Sequence, residues 1–151
     1  MKISDKGLDF IKQFEGFSET PYKCPAGIPT QGYGHTESIG PPNIGGSWDR
    51  DYALKVLEDD INREISGKIT RSLPAHIMPD ITQGMFDAMC SLAYNIGISA
   101  FLMSSVFKYV CSGNFDYAAE KFELWNKASG KLLPGLASRR KKERDIFLGV
   151  L

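Results

Sequence analysis

Residues 14–36 read FEGFSETPYKCPAGIPTQGYGHT, and the rest of the chain is organised around them. A carboxylate, Glu15, stands at the end of a short amphipathic segment. Cys24 follows nine residues later, and Thr30 six after that. Two turn signals, CPAG and QGYG, punctuate the stretch; in each, proline or glycine sets the backbone direction. The extended runs between the turns (PYK, IPTQ and YGHT) predict a small β-meander. A helix that ends in an acid and feeds a compact turn unit can hold several polar side chains around one substrate atom. That pattern belongs to a site rather than to a core.

Working outward, Ser4–Phe14 reads as a helix, with Ser4 as N-cap and Asp5 at the positive end of the dipole. Leu8, Ile11 and Phe14 share its apolar face, and Gly16 ends it. Downstream, ESIGPPNIGGS (37–47) is dense in glycine and proline and reads as a structureless, flexible or cleft-bordering loop. Ser47 or Asp49 then caps a helix to about Ser66, with Ala53, Val56, Leu57, Ile61 and Ile65 as its buried stripe. The remainder is helical by pattern: Thr82 to Asn95, Ser104 or Ser105 to Cys111, a helix capped by Asn114, and a last one opened by Pro134. The fold class these patterns predict is α+β. A small N-terminal helix and β-meander lobe (1–46), a connecting helix (47–66) and a larger all-helical lobe (67–151) would enclose a cleft.

Composition sets the outer limits. A chain of 151 residues suits one domain with a real core, and 42% apolar content is ordinary for a soluble protein. Eighteen basic and eighteen acidic residues cancel, so no global field draws the chain to nucleic acid or anionic lipid. The one basic run, SRRKKER (138–144), reads first as a solvated helix face and second as a contact for an anionic polymer. Three cysteines make no disulfide framework, although a bridge from Cys24 to Cys90 or Cys111 is conceivable. Cys90 and Cys111, among apolar neighbours, read as structural thiols. Two distant histidines, His35 and His76, offer no zinc spacing, and no phosphate loop or dinucleotide fingerprint occurs. No cofactor is expected. MKISDKGLDF is too polar for a signal peptide or anchor, which predicts a cytoplasmic chain.

The run EG…Y.CPAG..T.GYGHT resembles the signature of the phage-type lysozymes, glycoside hydrolase family 24. Their catalytic pattern is Glu, eight residues, Asp or Cys, five residues, Thr, and Glu15, Cys24 and Thr30 fit both spacings. AYNIG (93–97), SGNF (112–115), Trp125 and LPGLASRRKKERDIF (133–147) extend the resemblance over nearly the whole chain. Three stretches depart from the family pattern: Glu19–Thr20–Pro21, Gln31 in place of an apolar residue, and the Gly/Pro-rich 37–47.

The resemblance implies an endolysin-type N-acetylmuramidase acting on the glycan strands of bacterial peptidoglycan. It implies a monomer that binds no nucleic acid, inserts in no membrane and stays in the host cytoplasm until released to the wall. Such hydrolysis needs an acid at the leaving oxygen and, with inversion, a base that activates water on the opposite face. Glu15 is the expected acid, and burial or a nearby negative charge must keep it protonated. Cys24, where many relatives carry Asp, could take the water's proton or attack the anomeric carbon. An unperturbed thiol is mostly protonated at neutral pH, so activity should need local tuning or rise with pH. Thr30 would orient the water. The resemblance also implies a His35–Asp60 pair at the lobe junction and an Arg139 contact to Glu15, which would lower the acid's pKa against burial. Two other readings stand beside this one. In the first the chain is a catalytically weak or inactive peptidoglycan-binding scaffold; in the second it is a chitin-directed hydrolase.

Overall fold

The computed structural model describes all residues from Met1 to Leu151. Helix α1 spans Asp5–Phe14, and its Ser4 cap accepts from the Gly7 N–H, as the sequence predicts. Asp87 also holds this terminus, accepting from the Ser4 N–H at 3.0 Å and from the Ser4 hydroxyl. The approach is close enough that a Cβ on Gly7 would lie 2.5 Å from the Asp87 carboxyl carbon. Helix α1 thereby docks on α4 (Gln83–Ile96), and Leu8 and Ile11 join the main core.

Strands β1 (Ser18–Lys23) and β2 (Pro29–Gly32) form an antiparallel hairpin. The third extended run contributes a single bridge, Gln31 to His35, rather than a full strand. Helix α2 (Arg50–Ile61) starts at Asp49, whose carboxylate accepts from the Tyr52 N–H. It does not stop at Ser66. A π-helical turn (Asn62–Ser66) widens it, and α3 (Gly67–Ser72) carries it on to an extended Leu73 before Pro74. The buried positions Ile61, Ile65 and Ile69 keep a four-residue spacing through the junction, so burial continues where the sequence pattern seemed to fade.

Helix α4 is buried over most of its circumference, and its methionine-bearing stripe (Met85, Met89) packs as core. The helices α5 (Ile98–Leu102), α6 (Ser105–Cys111) and α7 (Phe115–Lys121) follow. A two-residue hairpin, β3 (Lys127–Ala128) with β4 (Lys131–Leu132), interrupts the otherwise helical segment. Its turn residues Ser129 and Gly130 take positive φ, as tight hairpins require. Helix α8 (Pro134–Leu148) closes the fold against α4. All three cysteines are free thiols, with Cys90 fully buried and Cys24 and Cys111 partly so.

Candidate active site

Glu15 sits one residue past α1, in extended backbone, with its N–H bonded to the Lys12 carbonyl. Its side chain is 22% exposed and faces the Arg139 guanidinium of α8 at 3.7 Å. Burial raises the Glu15 pKa above the ordinary carboxyl value, and the charge and hydrogen bond of Arg139 oppose that shift. The sequence left the contest between these effects open; here burial wins. Gly34 adopts φ +92°, and a Cβ there would lie 3.5 Å from Glu15 Oε2 and 3.4 Å from the Tyr94 hydroxyl. The QGYG turn therefore brings its backbone up against the acid, where a glycine fits best. Tyr94 fixes that approach by donating its hydroxyl to the Tyr33 carbonyl at 3.2 Å. Glu15 lines an open pocket of about 490 Å³ with Lys12, Phe17, Tyr33, Arg50, Asp51 and Leu54.

The hairpin brings Cys24 and Thr30 together. Cys24 opens the CPAG turn, accepting at its carbonyl from the Gly27 N–H at 2.7 Å and donating its own N–H to Ile28 at 3.0 Å. The backbone N–H groups of Ile28 and Ala26 hold the thiol below its usual pKa. Thr30 is buried, and its hydroxyl donates to the Ile28 carbonyl at 3.0 Å. A hydroxyl has one proton and two lone pairs, so in this orientation it presents acceptor sites to a water.

His35 and Asp60 pair at 2.6 Å, both about 1% exposed at the side chain. The other ring nitrogen, Nε2, donates to the Pro42 carbonyl at 2.8 Å, so it must carry a proton. Burial raises the Asp60 pKa, opposed by the hydrogen bond and charge of His35 and by Arg63. Together with Arg63, which reaches the Pro41 carbonyl at 3.4 Å, the pair fastens the 37–47 loop to the connecting helix. The loop also holds itself, with the Ile44 N–H donating to Glu37 at 2.9 Å. Irregular by composition, it is nonetheless tied down.

The SRRKKER run is a solvated face only in part, with Ser138, Lys141 and Lys142 exposed. Arg139, Arg140 and Glu143 are all buried, and Glu143 accepts from both arginines, at 3.3 Å from Arg139 and 2.6 Å from Arg140. Ser91 donates to Glu143, and its carbonyl and hydroxyl each accept from Arg139 at 3.2 Å. Arg140 reaches the Trp125 carbonyl at 2.7 Å and the Asn95 side chain. A signal existed: Leu136, Arg140, Glu143 and Phe147 follow the four-three-four spacing of one helix face, two of them apolar. No group of three or more His, Cys, Asp or Glu side chains is arranged to hold a metal ion.

Comparison with known proteins adds independent findings. The phage lysozyme family model matches residues 12–143. An endolysin of Acyrthosiphon pisum secondary endosymbiont phage 1 is 40% identical over 97% of this chain and 98% of its own length. An endolysin of Bacillus phage B103 is 38% identical over 98% of this chain, which spans about half (54%) of that longer protein. Among solved structures, the endolysin from Escherichia coli O157:H7 phage FAHEc1 superposes with a TM-score of 0.84 at 36% identity, covering 100% of this chain and 96% of that one.

Proposed function

This chain belongs to the phage lysozyme family, and we infer from that membership a peptidoglycan-hydrolysing endolysin, a glycoside hydrolase of the muramidase type. The bond cut is the β-1,4 link between N-acetylmuramic acid and N-acetylglucosamine. Glu15, with its pKa raised by burial, gives its proton to the glycosidic oxygen as the bond to the anomeric carbon breaks. A water that donates to Thr30 and Cys24 attacks that carbon from the opposite face, and its proton passes to the Cys24 thiolate. Solvent then returns a proton to Glu15 and removes one from Cys24. The observation that carries this reading is geometric: a largely buried carboxyl faces Arg139 and the Gly34 backbone, and the adjoining hairpin closes Cys24 and Thr30 into one turn unit.

The same reading takes 1–46 as the lobe bearing the site, the helix from Arg50 through Ser72 as the connector, longer than the 47–66 expected, and the helices after it as the helical lobe. It has the enzyme act as a monomer on glycan strands, bind no nucleic acid, and reach the wall from the host cytoplasm. No helix of the chain is long and apolar enough to cross a membrane.

Release of new reducing ends from purified peptidoglycan tests the assignment. Glu15→Gln should lower the rate about 10²–10⁴-fold, the usual contribution of a general acid. If Glu15→Gln and Cys24→Ser cut like the wild type, those two residues are not the catalysts. If the wild type binds peptidoglycan without cutting it, the scaffold reading takes over.

A further inference from the structure

Glu19–Pro21, Gln31 and the end of the 37–47 loop meet in one place. Ser18 pairs with Gly32 and Tyr22 with Thr30, so Glu19, Thr20 and Pro21 stand opposite Gln31 alone. This bulge leaves the Glu19 carbonyl outside the hairpin ladder. Gln31, fully buried, donates Nε2 to that carbonyl at 2.9 Å. Nε2 also reaches the carbonyls of Gly46 at 3.2 Å and Gly45 at 3.4 Å, while Oε1 accepts from the Gly45 N–H at 2.9 Å. The Trp48 N–H donates to the same Glu19 carbonyl at 2.9 Å, and Ser47 donates to the Glu19 carboxylate. One carboxamide thus joins the bulge, the second strand and the loop that leads into α2.

Thr30 and Gln31 are neighbours in β2, and successive strand side chains point to opposite faces. Gln31 therefore lies away from the Thr30 hydroxyl and acts on it only through the backbone. The backbone of Gln31 bonds in both directions to His35, at 3.0 and 2.9 Å, so the same residue also links the hairpin to the His35–Asp60 pair. With β1 shifted against β2, Cys24 would move relative to Thr30, because Cys24 directly follows β1.

We propose that Gln31 is a positioning residue that sets the register of the bulged hairpin and so holds Cys24 and Thr30 in their working geometry. The proposal rests on the roles given above to those two residues. The donors bearing on the sulfur are the N–H groups of Ile28 and Ala26. The neighbouring ionisable side chains on β1, Tyr22 and Lys23, are exposed. A slipped hairpin therefore loses stabilisation of the thiolate through its hydrogen-bond donors.

The test compares Gln31→Met, similar in length but without the polar atoms, with Gln31, both in a Cys111→Ser background. Iodoacetamide alkylation of Cys24 against pH, kcat and KM on peptidoglycan, and thermal melting are read on each. The alkylation midpoint should rise by about half a pH unit or more toward the ordinary thiol value. kcat should fall about tenfold or more, with KM changed less than about twofold, because geometry rather than binding is lost. A lower melting temperature with midpoint and kcat both unchanged would mean that Gln31 only stabilises the fold, and the proposal fails. Should Gln31→Met not fold, Ser47→Ala removes a surface contact to the same bulge. A smaller rise in the alkylation midpoint supports the proposal, and an unchanged midpoint overturns it. Full activity in Cys24→Ser would instead remove the catalytic role of the thiol, while the alkylation profile still reports on Gln31.

Discussion

The guanidinium of Arg139 stands 3.7 Å from the carboxylate of Glu15. The same group bonds to the wholly buried Glu143 at 3.3 Å, so it is shared between an acid at the site and an acid in the core. Arg140 binds Glu143 from the other side and itself feels the cost of burial, which lowers its pKa. The position of Arg139 is thereby set by partners that do not touch the site.

Replacing Arg139 separates its two duties. Arg139→Met removes the charge that opposes burial at Glu15, so the carboxyl should hold its proton to higher pH. The limb of the pH–rate profile that follows Glu15 should move upward, measured by reducing-end release across pH 5 to 9. Stability should fall by up to roughly 3–5 kcal/mol, the usual cost of breaking a buried pair, and Arg140 should soften the loss. A limb that stays in place, in folded protein, would mean that Arg139 does not act on the acid.

Glu15 should make the fold less stable at neutral pH. Its pKa is raised on folding, so between the ordinary and the raised value the native state binds more protons than the unfolded chain. The stability associated with this group is fully present below the ordinary value of about 4.3 and is lost as pH rises through the folded pKa. Glu15→Gln should therefore melt at a higher temperature than the wild type at pH 7, and the advantage should shrink below about pH 4. A gap that widens in acid would contradict the assignment of burial as the dominant influence.

Cys24→Asp offers a direct test of the base. With the thiol, the limb of the pH–rate profile that follows residue 24 should lie below about 8.5, the free thiol value, because backbone donors favour the thiolate. With a carboxylate it should move toward about 4. A profile indifferent to this exchange would show that another group takes the proton.

Asp60→Ala leaves the His35 Nδ1 buried opposite nothing and should cost about 3–5 kcal/mol in urea unfolding. Asp60→Asn keeps a hydrogen-bonding group there and should cost less. Equal losses in the two variants would assign the effect to packing.

Much of this was legible in sequence because it depends on short-range constraints. The Glu15, Cys24 and Thr30 spacing, the CPAG and QGYG turns, and the Ser4, Asp49 and Thr82 caps each read locally, and the structure keeps the caps where they were expected. The role of Gln31 was hidden because its partners, Glu19 and Gly45–Gly46, lie 12 to 15 residues away in sequence and offer only backbone atoms. A composition-based reading cannot see a carbonyl. The Arg139 contact to Glu15 was expected, but the burial of Arg140 and Glu143 was missed for a different reason: charge outweighed periodicity in a run whose spacing already placed both on the apolar face. The extension of the connecting helix past Ser66 was obscured by Ser66, Gly67 and Thr70, polar or small residues that do not advertise a helix.

The π turn at Asn62–Ser66 has a consequence for how such a chain can change over evolution. A π turn holds one residue more than the α turn it replaces, so losing one here would restore a regular α-helix, whereas gaining one would swing everything downstream by about 100° around the helix axis. Asp60, bonded to His35, lies just before the turn, and Ile65 and Ile69 lie within and just after it. Their relative phase depends on the number of residues between them. A single-codon deletion in the turn should therefore be absorbed by straightening the helix, whereas a single-codon insertion would put the two halves of the molecule out of step.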